Sequence, residues 1–226
     1  MASLFARPDR ELADHLSGVE LHALFHDSLS NLGGKVPSLD GFRTERNPEH
    51  LHMDLKEEYE RLFSGIPDEP VSLAESCYKP WTLDPACLLP FASEKELLMG
   101  DSAFHLLDLY RFYGLQLPDE FRGMPDHLVL ELEFLSYLYQ GEDDLAVKRF
   151  LEDHLDWVSS LKEALLKRNP HPFYETSIKV IDFYLEKEKK RLEIINDGKK
   201  NALSKAPHRP DAGRSSSDRL QQGRKT

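Results

Sequence analysis

The segment 121–138, with the sequence FRGMPDHLVLELEFLSYL, limits most strongly what this chain can fold into. Leucine and aromatic residues cover nearly every side of a helix built from it, so such a helix has to be enclosed by others. Pro125 suits the first helical turn, and Asp126 suits the positive end of the helix dipole. The sequence therefore predicts an all-α, single-domain helical bundle with this helix near its centre.

Glu131 and Glu133 interrupt the apolar surface of this central segment. A carboxylate among packed apolar residues must find a cation or hydrogen-bond donors, or else take up a proton. His127 precedes Glu131 by four residues, a spacing at which side chains of one helix can meet. Two interpretations remain open at this point: Asp126 and the glutamates are structural, or they belong to a functional site.

Apolar residues recur at helical spacing on both sides of the central segment. We expect helices over 9–32, 48–63 and 102–113, one long or two shorter helices over 143–166, and a last helix from 173 onwards. The core contacts expected in the first of these are Leu12, Leu16, Val19, Leu24, Leu29 and Leu32. No series of alternating strands is evident.

A proline-rich loop is expected between 64 and 93. Prolines at positions 67, 70, 80, 85 and 90 exclude a long regular element there. Loops of this length in compact domains are commonly functional or mobile. Tyr78, Trp81 and Phe91 are suited to covering an apolar peptide, and equally to packing the loop onto the bundle, so both interpretations stand.

Two motifs resemble one known family. The sequence PDHL at 125–128 followed by ELEFL at 131–135 resembles the signature of the TorD, DmsD and NarJ group, and YERLF at 59–63 resembles a second signature of that group. The resemblance extends loosely from about 50 to 185, through ESCY at 75–78 and through His154-Leu155 with Trp157. One departure is RGM at 122–124, where many members have a glutamate before the Pro-Asp-His, so no role of that acid carries over.

The resemblance implies an all-helical cytoplasmic chaperone of a molybdenum oxidoreductase. Its expected partner is the precursor of the catalytic subunit, bound at a twin-arginine leader or N-terminal region and held until the molybdopterin cofactor is inserted. No catalytic residue, bound metal or cofactor of its own is expected. The expected peptide-binding or partner-binding residues are Tyr59, Leu62, Phe63, Tyr78, Trp81, Pro125, Asp126, His127 and Glu131.

Tyr59, Leu62 and Phe63 require a further condition before they can bind a partner. They end an apolar helical stripe that begins with Leu51 and Leu55, so they are core residues first. A recognition role requires that this end of the stripe open into a groove.

The net charge of −11 is unevenly distributed. The residues 187–226 contain 12 Lys and Arg against 5 Asp and Glu, or +7, which leaves −18 on the preceding body. A body of that sign repels nucleic acid and attracts basic partners, although an acidic surface is also common in soluble proteins. The polar composition after 195 is typical of disorder. We therefore expect an all-helical chaperone domain at 1–195 and a basic, disordered tail at 196–226.

Several classes of protein have no support in the sequence. No apolar run reaches the length of a membrane span, and the first ten residues lack the apolar core of a secretory signal, so we expect a cytoplasmic protein without membrane insertion. Cys77 and Cys87 lack metal-site spacing and are expected to be reduced thiols. There is no phosphate-binding glycine loop and no recognisable nucleophile motif, which argues against an enzyme.

Two alternatives to the chaperone are kept. A helical adaptor would dock on a folded partner without binding a leader. A metal-dependent hydrolase would use Asp126 and His127 with other histidines, but neighbouring helical residues point about 100° apart and would need ligands from other helices. His15, His22 and His26 share one face of their segment, but nothing else there indicates metal binding. The oligomeric state, monomer or domain-swapped dimer, is left open.

Overall fold

Eight α-helices form the fold in the part of the chain that the structure describes. The structure is a computed structural model that describes residues 1–64 and 70–204, with the side chains of the last helix as far as 195. The helices are α1 (Arg10–Ser17), α2 (Glu20–Ser30), α3 (Pro48–Phe63), α4 (Asp101–Phe112), α5 (Leu128–Gly141), α6 (Asp144–His154), α7 (Val158–Leu166) and α8 (Pro172–Ser204). No strand occurs in these residues apart from a single bridge between Ala74 and His127. The predicted all-α bundle is confirmed.

Helix α5 occupies the centre, as the sequence predicts. Eight of its residues are buried, among them Leu128, Leu132 and Phe134, and it packs against α6 and a short 3-10 helix at Ala2–Phe5. Glu131 is fully buried, whereas Glu133 lies on the exposed side of α5. Of these two glutamates, only Glu131 therefore needs a partner inside the protein.

The start of α5 differs from the prediction. Pro125 does not lie in the first helical turn, because α5 begins three residues later with His127 as its N-cap. The residues before α5 pair with the segment 73–75: the Leu128 N–H donates to the Leu73 carbonyl at 2.8 Å, and the Glu75 N–H donates to the Asp126 carbonyl at 2.9 Å. This pairing holds His127 in an extended conformation, so the helix cannot start earlier.

The first predicted helix is divided in two. Gly18 adopts an extended conformation after α1, and α2 begins at Glu20. The turn changes which side of the chain faces the core, so Leu16 and Leu29 are buried as expected, whereas Val19 and Leu24 are 57% and 62% exposed. The prediction of Val19 and Leu24 as core residues is wrong for that reason.

The remaining elements follow the sequence patterns closely. The stripe Leu51, Leu55, Tyr59 and Leu62 of α3 is buried. The region 143–166 forms two helices, and between residues 70 and 100 the only helix is a 3-10 turn at Glu75–Cys77. That turn is called η3 below.

The C-terminal region is described only in part. Helix α8 continues to Ser204, so its last turns belong to the segment predicted as a basic tail, and 205–226 lie outside the described residues. The boundary between domain and tail stays a prediction. Across the described ranges, no helix combines the length and the apolar character that crossing a bilayer requires.

Candidate functional site

The signature at 125–128 lies against η3 and fixes its position. Besides the two backbone hydrogen bonds already described, the Ser76 N–H donates to Oδ2 of Asp126 at 2.6 Å. The Asp126 side chain has no exposed surface, so this bond is shielded from water. Asp126 therefore anchors η3, the element that connects the interior of the bundle with a surface groove.

Three acidic residues, Glu75, Asp126 and Glu131, form a buried group that we call the acid cluster. None of them has exposed surface. Oε2 of Glu131 accepts a hydrogen bond from Nε1 of Trp157 at 3.0 Å. Glu75 is 2.5 Å from Nζ of Lys79 and 2.9 Å from Nδ1 of His154. Because one carboxylate carries both basic partners, the cluster cannot hold three full negative charges at low cost.

The protonated form of Glu131 is favoured, which reduces this excess of charge. Complete burial, and after it the negative charge of Glu75, raise the pKa of Glu131 well above its usual value. The side-chain hydrogen bond with Glu75 also raises the pKa of Glu131, because one of the two carboxyl groups has to carry the hydrogen. Burial also raises the pKa of Asp126, although hydrogen bonds from Ser76 act in the opposite direction.

His127 is neutral at the edge of this cluster. Burial lowers its pKa to about 4. Its Nδ1 accepts the N–H of Val129 at 3.2 Å, which is the N-cap bond of α5. The predicted side-chain contact between His127 and Glu131 is replaced by this cap, so His127 has a structural bond of its own.

A pair of histidines connects the acid cluster with the surface. Nε2 of His154 lies 2.8 Å from Nδ1 of His105, and His105 is exposed on α4. Burial is the main factor that lowers the pKa of His105, and the neighbouring His154 lowers it further. A chain of hydrogen bonds therefore leads from Glu75 to solvent.

On the other side of η3 is an open cavity of about 1520 Å³, which we call the groove. Aromatic residues from four parts of the chain form much of its wall, and several of their rings are in contact. Tyr59 and Phe63 have ring centroids 5.0 Å apart, and Phe63 lies 6.0 Å from Phe5. Tyr78 stacks on Trp157 at 5.0 Å, and Phe121 lies 4.9 Å from His127. The end of the α3 stripe does open into a groove, which meets the condition set by the sequence.

The structure brings four of the nine predicted site residues together in the groove. These are Tyr59, Phe63, Tyr78 and His127. The five that do not line it are Leu62, Trp81, Pro125, Asp126 and Glu131. Leu62 is 1% exposed in the core, and Trp81 packs on Phe91 at 5.2 Å near the start of α4. Asp126 and Glu131 lie behind the wall, so they can affect a bound partner only by positioning that wall.

Sequence reasoning missed several residues of the groove. Phe5, Phe121, Lys95, Lys167 and Arg168 all line it. No periodic pattern marks the first two, and the three cations resemble ordinary surface residues. The segments ESCY and His154-Leu155, to which the family resemblance extended, did point to the acid cluster, because Glu75 and His154 are bonded there.

Metal-binding geometry does not occur among the described residues, where no group of three or more His, Cys, Asp or Glu could hold an ion. The rings of His22 and His26 stack with centroids 6.3 Å apart. The thiols of Cys77 and Cys87 are free, and burial raises the pKa of Cys77. A raised thiol pKa is unfavourable for a nucleophile.

The family model of the nitrate reductase delta subunit matches residues 26–171, which is more than half of the chain. The matched region contains the whole acid cluster and the groove wall except for its N-terminal part. No curated protein matches the chain.

Proposed function

The chain belongs to the nitrate reductase delta subunit family, a family of chaperones that act with molybdoenzyme catalytic subunits. From this premise we propose that the protein binds the precursor of a molybdopterin oxidoreductase catalytic subunit, here called the client. The contact is made in the groove by the twin-arginine leader or N-terminal region of the client. The protein holds the client in the cytoplasm until the cofactor is inserted, and it catalyses no reaction.

The observation that carries this proposal is the groove itself. Pockets for small ligands usually have about 300–1000 Å³, and the groove, at about 1520 Å³, is larger. Aromatic walls and an open side suit an amphipathic helix or an extended segment of a protein chain. Four of the residues that the family motifs and the loop pattern indicate are on this wall, which connects the groove with the family.

The titratable groups of the groove support binding rather than catalysis. His127 is neutral, and its Nδ1 is occupied by the N-cap bond. The Cys77 thiol is partly buried and has a raised pKa, so its reactive thiolate form is disfavoured. A hydrolase would need a free base beside a nucleophile, and these two side chains do not supply one.

A helical adaptor that docks on a folded partner is the second candidate. Large apolar side chains on another part of the surface favour it, because Phe104 and Phe112 of α4 are 53% and 81% exposed. Exposed apolar side chains in one region mark interaction surfaces. The chaperone is therefore expected to bind its partner in the groove, and the adaptor on this α4 surface.

One experiment separates them. The client is identified by mass spectrometry after the protein is purified from its native host, and its affinity is then measured by calorimetry with and without its N-terminal region. Phe121→Ser changes the groove, and Phe112→Ser makes the same change on the α4 surface. We expect Phe121→Ser, or removal of the N-terminal region, to weaken binding about tenfold or more, the loss of a central aromatic contact. If only Phe112→Ser weakens binding, the adaptor is correct.

A further inference from the structure

One arginine of the chain itself lies in the groove. Arg7 lines the wall, and its guanidinium carbon is 6.0 Å from the centre of the Tyr59 ring. Nη1 of Arg7 is 3.3 Å from Oε1 of Glu60, the next residue of α3. An aromatic ring beside a carboxylate suits a guanidinium group, because the ring and the charge attract it together. Tyr59 and Glu60 therefore have the chemistry of a guanidinium site, and Arg7 occupies it.

This contact holds Arg7 only weakly. The side chain of Arg7 is 73% exposed and that of Glu60 is 39% exposed. The distance of 6.0 Å to the Tyr59 ring is at the outer limit of a cation–π contact. Exposed ion pairs add little to stability, since water and salt screen them. A guanidinium group of another molecule can therefore compete with Arg7 for the same place.

The backbone on both sides of Arg7 is anchored. Phe5 and Pro8 are buried, and the ring of Phe5 lies 6.0 Å from that of Phe63. The Pro8 carbonyl is 3.2 Å from Nε2 of His52 in α3. Because these flanking residues are fixed, the exchange requires only the exposed side chain of Arg7 to move.

The charges around Tyr59 favour a further cation. Burial raises the pKa of Tyr59, and the charged groups among the described residues that also affect it are Arg7, which lowers it, and Glu60 and Glu120, which raise it. Glu120 lines the groove, and the C-terminus of α3 adds its own negative potential. Residues 65–69, which follow α3, lie outside the described residues, but their sequence contains two acids and no base. One cation therefore faces two carboxylates and a negative helix end.

We infer that Tyr59, Glu60 and Glu120 bind an arginine side chain of the client, and that Arg7 occupies this site as an internal competitor until the client arrives. This inference rests on the proposed function and adds the chemistry of one contact. Lysine is a poorer ligand for such a site. Its ammonium group is a point charge, whereas a planar guanidinium stacks on a ring and forms paired hydrogen bonds with a carboxylate.

Three synthetic peptides test the class of ligand. Each has 16 residues with Leu and Phe at the same positions, preceded by a pair that is Arg-Arg, Lys-Lys or Gln-Gln. Titration calorimetry with the full chain at 0.1 M salt should show the Arg peptide binding about tenfold more tightly than the Gln peptide and about threefold more tightly than the Lys peptide. Equal binding of the Arg and Gln peptides, or no binding of the Arg peptide, would overturn the inference. Equal binding of the Arg and Lys peptides would also overturn it, since it would show attraction to charge alone.

Arg7→Gln tests the competitor, and Arg10→Gln is its matched control. Arg10 belongs to the same N-terminal region, pairs with Glu49 at 3.0 Å, has a side chain that is 66% exposed and does not line the groove. We expect Arg7→Gln to bind the Arg peptide about threefold more tightly than the wild type, the gain from removing an exposed ion pair. The Gln peptide should bind Arg7→Gln as it binds the wild type, and Arg10→Gln should bind both peptides normally. Unchanged or weaker binding of the Arg peptide by Arg7→Gln contradicts the competitor.

Glu60→Gln locates the site, and Glu57→Gln is the control. Glu57 is an exposed acid of the same helix outside the groove lining, so its replacement changes the net charge equally. In Glu60→Gln the preference for the Arg peptide over the Gln peptide should fall from about tenfold to less than about threefold, and Glu57→Gln should keep it. A full preference in Glu60→Gln would mean that the arginine binds elsewhere, and the inference would fail.

The proposed function is tested separately with the precursor protein. If the precursor binds and Phe121→Ser weakens that binding, but the Arg peptide has no advantage, the function stands and the inference fails. If neither the precursor nor any of the peptides binds, the proposed function fails and the inference fails with it.

Discussion

The acid cluster and the groove lie on opposite sides of η3 and have opposite physical properties. On the side of the acid cluster, Glu75 and Ser76 are buried, and Glu75 is bonded to other protein groups. One residue later, Cys77 lines an open groove, and Tyr78 follows it. A single turn of 3-10 helix therefore separates a buried polar interior from a wide aromatic surface.

This comparison shows that the most recognisable residues are not the ones that can touch a partner. Asp126 and Glu131 belong to the signature, yet both are shielded from solvent. Phe5 and Arg168 are inconspicuous in the sequence, yet both line the groove. The signature builds and positions the wall, and residues outside it supply much of the binding surface.

The largest expected effect on stability comes from removing Glu75, the central member of the acid cluster. Glu75→Ala leaves His154 without its buried partner and leaves Lys79 with Asp156 alone. Breaking a buried ion pair from one side costs about 3–5 kcal/mol, so we expect a loss in the free energy of unfolding near the lower end, since Lys79 is partly exposed. Urea unfolding measures it.

Leu132→Ala is the reference for that measurement. Leu132 is 6% exposed in α5, and truncating a buried leucine costs about 2–5 kcal/mol whatever the function. If Glu75→Ala costs less than about 1 kcal/mol while Leu132→Ala costs the usual amount, the acid cluster does not stabilise the wall.

The next largest effect on stability is expected from variants of Asp126. Asp126→Ala removes the acceptor of the buried Ser76 N–H, which should cost about 1–3 kcal/mol. Asp126→Asn keeps an oxygen at that place and should cost less. The sequence alone suggested an exposed helix-terminus charge worth about 0.3–1 kcal/mol, and burial of Asp126 changes that expectation. Thermal unfolding of both variants checks the order.

The raised pKa of Glu131 predicts a distinct dependence of stability on pH. Its native pKa is raised, so the folded protein binds more protons than the unfolded chain above about pH 4.5. Stability from this group is therefore complete at lower pH and falls as pH rises through the native pKa. Glu131→Gln imitates the protonated carboxyl and should remove this decline. The melting temperatures of variant and wild type should diverge in favour of the variant between pH 5 and 8.

His127 changes the dependence of stability on pH in the direction opposite to Glu131. Its native pKa is about 4 against an ordinary value of 6.5, so it stabilises the fold above pH 6.5, and this contribution is lost as pH falls toward 4. Both proteins contain His127, so its effect cancels in the difference between them. Parallel melting curves across pH 5–8 would contradict the protonation of Glu131.

The smallest effect on stability is expected on the groove side. Lys167→Gln removes an exposed charge at the end of α7, which should cost about 0.3–1 kcal/mol through the helix dipole. Urea unfolding should therefore show a nearly wild-type protein. A loss above about 2 kcal/mol would mean that the groove cations are structural and would weaken the contrast with the acid cluster.

The sequence predicts helices better than contacts between distant segments. The α3 stripe follows from a local spacing, and its four residues are buried as expected. Pro125 was misplaced because the pairing of 125–128 with 73–75 joins segments about 50 residues apart, which no local pattern reveals. Val19 and Leu24 were misplaced because Gly18 turns the chain without a conspicuous break in the sequence. The groove joins Phe5 to Arg168, so only the folded chain shows it.

The most direct test of the account compares client affinity in Glu131→Gln and Phe121→Ser at pH 7, by calorimetry on variants shown to be folded. Glu131→Gln replaces the Glu131 carboxyl in the acid cluster by a neutral amide of similar shape. Phe121→Ser removes an aromatic ring from the groove wall. The account predicts normal affinity for Glu131→Gln and affinity about tenfold weaker for Phe121→Ser. The account holds that the acid cluster positions the groove wall and that the groove residues contact the client. Weak binding by a folded Glu131→Gln together with normal binding by Phe121→Ser would contradict it.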